Sequence, residues 1–450
     1  MRVLPKVLLL ATVMMSGTAA FADGSVVSFA NFKAIPASAN SKDWNPAAPW
    51  IIPAGFRQSI VSDESTLNIY PEGVSDWYDM NAVNESGPLA GRYLYRTHEV
   101  RCGAIWAVYP RCSTYPGGAV SVVDLQTGAA SILAQDPSYQ ALDGIRWTPW
   151  GSLLVVEETE GGRLLEITLD PKNLMKGRVH DRPAAGRMAH EGVAVGPDGA
   201  VYVVDEHRGL TEPCPDGSLP CGGGIYRFVP DKWSDLSRGE LFVLAVSDGD
   251  YNTGQGRWMG PIDPANVRQA GSKIGGASYQ RPEDLEIIGE TLYVAVTEGP
   301  PGKNGIEVFE GRVLAINLKT MAVTTFIQPG LNAPVEIGVP GDANFQTGLD
   351  NVDNLAASPD GRLMLIEDNK PSDIWIADKD NNGDGRADGL HLFASLTDPG
   401  AEGSGIYFGS DPSILFVNIQ HSARKDGDGT WAITLESEPG KRCQARNNEQ

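Results

Sequence analysis

Positive charge is scarce in this sequence. Lys and Arg number 36 against 57 Asp and Glu, so the formal net charge is −21 at pH 7. Such acidity argues against nucleic acid and anionic membranes as partners. Acids that cluster would suit bound divalent cations, whereas acids spread over the surface would only keep the protein soluble.

Long hydrophobic runs are also nearly absent. The one strongly apolar stretch follows a basic N-terminus and ends at the small-x-small site AFA, residues 20–22. This pattern predicts a secretory signal peptide over residues 1–22, and the absence of a twin arginine favours export in the unfolded state. No later run reaches the roughly 18 apolar residues of a membrane span. We therefore expect a periplasmic or secreted protein, in which residues 23–450 form a single domain.

Cysteine is limited to five residues, which fits an oxidising compartment. Cys214 and Cys221 bracket a turn-rich loop, and Cys102 and Cys112 bracket another short segment. Neither pair has the CxxC spacing of a zinc or redox site, so we predict two structural disulfides, with Cys443 left over.

Several catalytic signatures are missing as well. The sequence has no GxSxG elbow, no Walker loop and no HExxH motif. Serine hydrolase, P-loop and zincin chemistry are therefore disfavoured.

What the chain does contain is an internal repeat of a short apolar strand, a P-D-G or G-E turn, and a second strand rich in Val, Leu and Ile. Six copies occur, at residues 91–133, 145–169, 193–231, 285–318, 355–378 and 406–436. Short strands and turns at this spacing predict an all-β fold, and six copies predict a six-bladed β-propeller. Residues 232–280 and 329–350 are expected to be insertions between blades. Two stacked sandwiches are the alternative.

Acidic residues recur at fixed places in these copies. Asp143 precedes a hairpin that ends at Glu157, 14 residues later, and Asp353 and Glu367 have the same spacing. The first strand of a propeller blade lines the central channel, so the leading acids should converge on one mouth. These leading acids are Asp79, Asp143, Glu191, Glu283, Asp353 and Glu402.

Carboxylates brought this close repel one another unless a cation is present, and Ca²⁺ binds six to eight such oxygens. The alternative is that each acid only stabilises a local turn through hydrogen bonds to the backbone. We predict a calcium site, with ligands Glu99, Glu157, Glu191, Glu283, Asp353 and Glu402.

A second acidic segment, DKDNNGDGRAD, has the spacing of part of a calcium loop. Its candidate ligands are Asp380, Asn382, Asp384 and Asp388. His391 stands where an EF-hand has its bidentate Glu, and no flanking helices are evident. A structural calcium site and a polar turn both remain open.

Several motifs resemble the PhoX-type alkaline phosphatases, which are secreted six-bladed propellers with calcium and iron in the central mouth. The motifs are THE (97–99), WTPWGSLLVVEE (147–158), HEG (190–192), RPED (281–284), DNLAASPDGRL (353–363), AEGSGIYF (401–408) and LFVNIQH (415–421). The likeness runs from about residue 75 to 425.

This resemblance implies metal binding by Glu191, Glu283 and Glu402, and phosphate binding by Arg281. A guanidinium beside a carboxylate-metal cluster suits bidentate phosphate binding, although Arg281 could instead form a salt bridge that neutralises the mouth. His98 is a further catalytic candidate, as a ligand or proton carrier. Its apolar strand context favours the alternative, a buried histidine with no catalytic part.

Two departures from the family pattern bear on the metal. Val156 stands where the family has an iron-ligating cysteine, and Thr97 stands where it has an asparagine. Because valine cannot bind a metal, we expect calcium rather than iron.

The expected function is hydrolysis of a small phosphorylated substrate by a monomeric enzyme. A calcium-dependent lactonase, a quinone-dependent sugar dehydrogenase and a non-catalytic calcium-stabilised envelope binding protein are the alternatives.

Overall fold

The alternating apolar runs of the sequence form short β-strands in the computed structural model of the protein. The structure describes residues 27–71, 74–103, 109–208, 222–247, 252–297 and 311–436. The predicted signal peptide, the Cys214–Cys221 pair and Cys443 lie outside these residues. The other predicted disulfide, between Cys102 and Cys112, is confirmed.

Two strands precede the repeats, β1 (Trp50–Ile51) and β2 (Phe56–Asp63). Blade 1 contains β3 (Tyr78–Val83), β4 (Tyr93–His98), β5 (Gly118–Asp124) and β6 (Ala130–Asp136). Blade 2 contains β7 (Leu142–Trp147), β8 (Ser152–Glu157), β9 (Leu164–Asp170) and β10 (Asn173–Asp181). Blade 3 contains β11 (His190–Val195), β12 (Val201–Asp205), β13 (Ile225–Lys232) and β14 (Asp235–Ser247).

The strand β15 (Gly254–Met259) and the helix α1 (Val267–Lys273) come before blade 4. Blade 4 contains β16 (Pro282–Ile288), β17 (Thr291–Val296), β18 (Arg312–Asn317) and β19 (Ala322–Ile327). Blade 5 contains β20 (Val352–Ala357), β21 (Leu363–Glu367), β22 (Asp373–Ala377) and β23 (Leu390–Leu396). The last strands are β24 (Glu402–Phe408), β25 (Ile414–Gln420) and β26 (Gly429–Leu435). Short 3-10 helices lie at Ser41–Asp43, Cys112–Thr114 and Pro183–Ala185.

Blade 6 is completed by a strand from the other end of the chain. The strand β2 pairs antiparallel with β26, so that the strand order of this blade is β2-β26-β25-β24. The first strand of each blade lies against the first strands of the blades before and after it, and β24 lies against β3. The described residues thus form a closed ring of six blades, which confirms the predicted propeller.

The insertion predicted at residues 232–280 is only partly an insertion. Its first part is β14, the outer strand of blade 3. The next strand, β15, pairs with β14 on one side and with β19 on the other, which joins blades 3 and 4 into one nine-stranded sheet. Residues 329–350 contain only isolated bridges, such as Val335 with Leu349.

The apolar core lies between neighbouring blades, because each sheet has two buried faces. One cluster holds Phe29 and Phe56 of the N-terminal segment together with Phe393 of blade 5. The rings of Phe29 and Phe56 are 4.9 Å apart, and those of Phe56 and Phe393 are 5.2 Å apart. These contacts stabilise the closure of the ring by burying aromatic area.

No helix in the described part of the chain has the length and apolar character needed to cross a bilayer.

Candidate active site

A β-bulge at the start of the first strand sets up the site in five of the blades. In blade 2, Leu142 faces Glu157 and Ile145 faces Val155, so one extra residue is inserted after Asp143. Blades 1, 3, 4 and 5 have the same shift. Bulges redirect side chains and are common beside active sites. The acid at the second position of each of these strands is thereby held at one end of the channel, hereafter the mouth. These acids are Asp79, Asp143, Glu191, Glu283 and Asp353.

A second set of acids follows the second strand of four blades. Each comes directly after the last residue of β4, β8, β12 or β21. The members are Glu99, Glu158, Glu206 and Asp368. In blade 6 the first residue of β24, Glu402, accepts a hydrogen bond from Gln420 over 3.2 Å.

Both sets of acids line one cavity of about 460 Å³ at the mouth. Its described lining consists of carboxylates, three guanidinium groups and one amide. These residues are Asp79, Glu99, Arg101, Asp143, Glu158, Glu191, Glu206, Arg208, Arg281, Glu283, Asp353, Asp368, Glu402 and Gln420. Every leading acid predicted from the repeats therefore lies in this cavity.

Three overlapping groups of acids bring carboxylate oxygens within 4.8 Å of one another. The groups are Asp79–Glu99–Asp143, Asp143–Glu158–Glu191 and Glu191–Glu283–Asp353. Because neighbouring groups share Asp143 or Glu191, they form a continuous acidic wall. A hard cation that prefers oxygen ligands fits such a donor set.

Burial and mutual repulsion raise the pKa of these carboxyl groups. The pKa of Asp79 rises to about 7, mainly through burial and then through Glu99. Burial is also the largest cause for Glu283, whose pKa rises to about 8. The pKa values of Asp143, Glu191 and Asp353 lie well above their usual range, with burial first and neighbouring carboxylates next. The site without a cation thus favours protonated carboxyls.

Arg281 lies in the cavity, as predicted. Its Nε donates to Glu206 over 2.5 Å, and its Nη2 lies 3.1 Å from Glu283 and 3.7 Å from Asp368. Burial alone would raise the pKa of Glu206, but the adjacent Arg281 lowers it. The Arg281 backbone has a φ of +50°, an unfavourable value for a side-chain-bearing residue. Thr297 helps hold this backbone by donating its N–H to the Arg281 carbonyl over 3.0 Å.

The prediction for Glu157 requires a correction. Its carboxylate does not line the cavity but receives two hydrogen bonds of 2.6 Å from Arg163 and one of 3.0 Å from the Gln140 N–H. Successive side chains of a strand point to opposite sides, so Glu158 lies in the cavity instead. Asp205 and Glu367 likewise end their strands outside the cavity. The consecutive acids at 157–158, 205–206 and 367–368 are the sequence signal that could have revealed the second set.

The structure also places His98 away from the cavity. Its Nδ1 donates to the Asp76 carbonyl over 2.7 Å, and its Nε2 lies 2.9 Å from the Ser121 hydroxyl. Burial lowers the pKa of His98 to about 3, and Arg96 contributes further. His98 is thus a buried residue whose ring nitrogens contact the Asp76 carbonyl and the Ser121 hydroxyl, away from the residues that line the cavity.

The two positions that depart from the family pattern are both buried. Val156 packs among apolar residues of blades 2 and 3 and does not line the cavity. The Thr97 hydroxyl accepts a hydrogen bond of 3.0 Å from the Met80 N–H. The described lining of the cavity contains no sulfur and no imidazole.

The second predicted calcium loop forms an exposed turn between β22 and β23. Asp380 accepts hydrogen bonds from the backbone N–H groups of Gly383, Asp384 and Gly385. The side-chain amide of Asn382 donates to Asp388. Calcium binding by Asp380, Asn382, Asp384 and Asp388 stays a prediction.

Solved structures share this architecture. PhoX from Pseudomonas fluorescens, in complex with the transition state analogue vanadate, superposes with a TM-score of 0.62 at 18% identity, over 90% of this chain and 98% of that one. At this identity the likeness establishes the fold.

Two further structures match less closely. A gluconolactonase from Xanthomonas campestris has a TM-score of 0.46 at 16% identity, over 90% and 98% of the two chains. A PQQ-bound aldose sugar dehydrogenase from Streptomyces coelicolor has a TM-score of 0.45 at 14% identity, over 86% and 100%. Neither likeness supports a function.

No curated protein sequence matches the chain. A family model described as alkaline phosphatase PhoX, however, matches residues 162–423, which is more than half of the 450 residues. The chain belongs to the PhoX alkaline phosphatase family.

Proposed function

We propose that this protein is a metal-dependent phosphatase that hydrolyses phosphate monoesters in the cavity at the mouth. One observation carries the proposal. Arg281, held by ion pairs with Glu206 and Glu283, projects into a cavity where three groups of carboxylates overlap. Membership of the PhoX family supports the same reaction.

The donor set fits calcium. Every acidic ligand candidate in the described lining offers carboxylate oxygens, which Ca²⁺ prefers, and several of them are buried together. Glu191, Glu283 and Asp353 are the proposed ligands at the most deeply buried group, with Glu402 nearby on the same wall. Glu99, predicted as a ligand from the sequence, lies in the first group, where Arg101 also contacts it. We assign no iron site, because Val156 provides no ligand.

The chain's own residues position the substrate. The Arg281 guanidinium can exchange its carboxylate partners for phosphoryl oxygens, which it binds through two parallel N–H groups. The cavity of about 460 Å³ accommodates a small phosphate ester. A divalent cation at the carboxylates supplies Lewis-acid stabilisation of the charge that develops on the phosphoryl oxygens.

The test is hydrolysis of an aryl phosphate by purified protein, before and after chelation and with calcium restored. We expect turnover that is lost on chelation and returns with calcium. Bound metal is measured on the same samples by mass spectrometry. Absence of turnover with either calcium or iron restored would exclude the phosphatase function.

We further propose that the protein acts as a monomer outside the cytosol. The signal sequence at residues 1–22 and the Cys102–Cys112 disulfide support export. N-terminal sequencing of the protein from the periplasm should begin at Asp23, and light scattering should give the mass of one chain. A mature protein that begins at Met1 would contradict export by this route.

A further inference from the structure

A second arginine contacts the acids of this cavity. Arg101 follows β4 by three residues, and its Nη2 donates to Glu99 in blade 1 and to Glu158 in blade 2. The side chains of Arg101, Glu99 and Glu158 are only 14%, 16% and 17% exposed. An ion pair this shielded from solvent is costly to break by removing one partner.

The two partners of Arg101 come from different carboxylate groups. Glu99 belongs to the group Asp79–Glu99–Asp143, and Glu158 belongs to Asp143–Glu158–Glu191. Arg101 therefore offsets the charge of one carboxylate in each of these groups.

A guanidinium differs from a metal ion in that it cannot dissociate from the chain or be chelated. The guanidinium of an arginine stays protonated at any ordinary pH. A divalent ion that bound Glu99 and Glu158 through the oxygens that Arg101 contacts would have to break two charge-assisted hydrogen bonds.

We propose that Arg101 takes the place of one divalent cation in the acidic cavity. The chain then has a permanent internal cation between Glu99 and Glu158, while exchangeable metal binds around Glu191, Glu283 and Asp353. The exchangeable metal in this proposal rests on the proposed function.

The test is the number of Ca²⁺ ions bound per chain, measured by mass spectrometry after gel filtration in calcium buffer. Arg101→Ala should bind one more ion than the unmodified protein. Arg101→Lys, which keeps the positive charge, should bind the unmodified number. Arg163→Ala is the matched control, because it breaks the ion pair with Glu157 in blade 2 outside the cavity and should not change the count. An unchanged or lower count in Arg101→Ala overturns the proposal.

A second variant tests the proposal if Arg101→Ala does not fold. Glu158→Gln keeps the size of the side chain, and we expect it to bind as many Ca²⁺ ions as the unmodified protein. Loss of an ion would show that Glu158 is a metal ligand despite Arg101, and would overturn the inference. Because these counts do not depend on turnover, a protein that gains calcium in Arg101→Ala but hydrolyses no phosphate ester would refute only the proposed function.

Discussion

The carboxylates of Glu157 and Glu158 lie on opposite sides of the end of β8. Glu157 is held by Arg163 and the Gln140 N–H, whereas Glu158 lines the acidic cavity and contacts Arg101. Two neighbouring glutamates therefore serve different purposes: the first stabilises the blade, and the second contributes charge to the site.

Substitution of Glu157 should affect stability alone. Glu157→Gln removes a buried charge that receives a bidentate pair from Arg163, so the free energy of unfolding should fall by about 1–3 kcal/mol. Urea denaturation measures this change. The calcium count and the rate of aryl phosphate hydrolysis should stay at their unmodified values, and a loss of bound calcium would instead make Glu157 a ligand.

Substitution of Asp353 should remove metal and activity together. Asp353→Asn leaves the group Glu191–Glu283–Asp353 with two carboxylates, so we expect at least one Ca²⁺ fewer per chain and a loss of most turnover. Metal analysis and an aryl phosphate assay measure both effects. Asp198→Asn, which affects a surface pair with Arg227, is the control and should change neither. Full calcium binding by Asp353→Asn would exclude this residue from the metal site.

Arg281 should contribute to substrate binding rather than to metal binding. Arg281→Ala should lower kcat/KM by about 100- to 1,000-fold, because a charged donor to the phosphoryl group is lost. Bound calcium should stay nearly unchanged. Arg187→Ala removes an exposed pair with Asp181 and should leave kcat/KM as it is. If Arg281→Ala instead loses its calcium, the arginine serves to support the carboxylates.

The stability of the metal-free protein should decrease as the pH rises. The pKa values of Asp79 and Glu283 are about 7 and about 8 in the folded protein, against 3.8 and 4.5 as ordinary values. Between these values the folded state binds more protons than the unfolded state, so raising the pH favours unfolding. The urea midpoint after chelation should be lower at about pH 8.5 than at about pH 5.5.

Two comparisons make this pH prediction specific to the cavity. Added calcium should raise the midpoint more at the higher pH, because the carboxylates are then already deprotonated. Asp353→Asn, which removes one of the repelling groups, should weaken the pH dependence of the chelated protein. A chelated protein that becomes more stable as the pH rises would contradict the raised pKa values.

His98 should matter for stability and not for the pH dependence of catalysis. His98→Gln disturbs hydrogen bonds to Asp76 and Ser121, so the free energy of unfolding should fall by about 2–3 kcal/mol. The shape of the pH–rate profile should not change, since the low pKa keeps His98 neutral. His180→Gln, in the outer strand β10, is a suitable control. A shifted pH–rate profile in His98→Gln would show that His98 takes part in catalysis.

The fold and the leading acids could be predicted from the sequence because both are repeated. Each hairpin carries its acid at the same distance from the turn, so Asp143, Glu191 and Asp353 could be recognised by spacing alone. The second acid of each hairpin could not be placed in this way. The bulge after Asp143 shifts the register by one residue, which puts Glu158 rather than Glu157 at the mouth.

Sequence patterns could not predict which residues contact each other between blades. Arg101 contacts Glu158, and Arg281 contacts Glu206, only when neighbouring blades pack together. Arg281 was recognised through a family resemblance, and nothing in the local sequence of Arg101 distinguished it from a surface arginine. The sequence left both interpretations of His98 open, because its partner, the Asp76 carbonyl, is a backbone atom that no motif reveals.

The strand β2 has a consequence for the biogenesis of the protein. It is synthesised before any blade, yet its partner β26 is synthesised almost last, and the side chains of Arg57 and Thr434, 377 residues apart, are hydrogen-bonded across this seam. Pairing of such distant segments is a slow step in folding. Until blade 6 is in place, the acids of blade 1 have their neighbours in blade 2 but not those in blade 6. Assembly of the cavity is thus a late event, and metal present at that moment would offset the repulsion that opposes it.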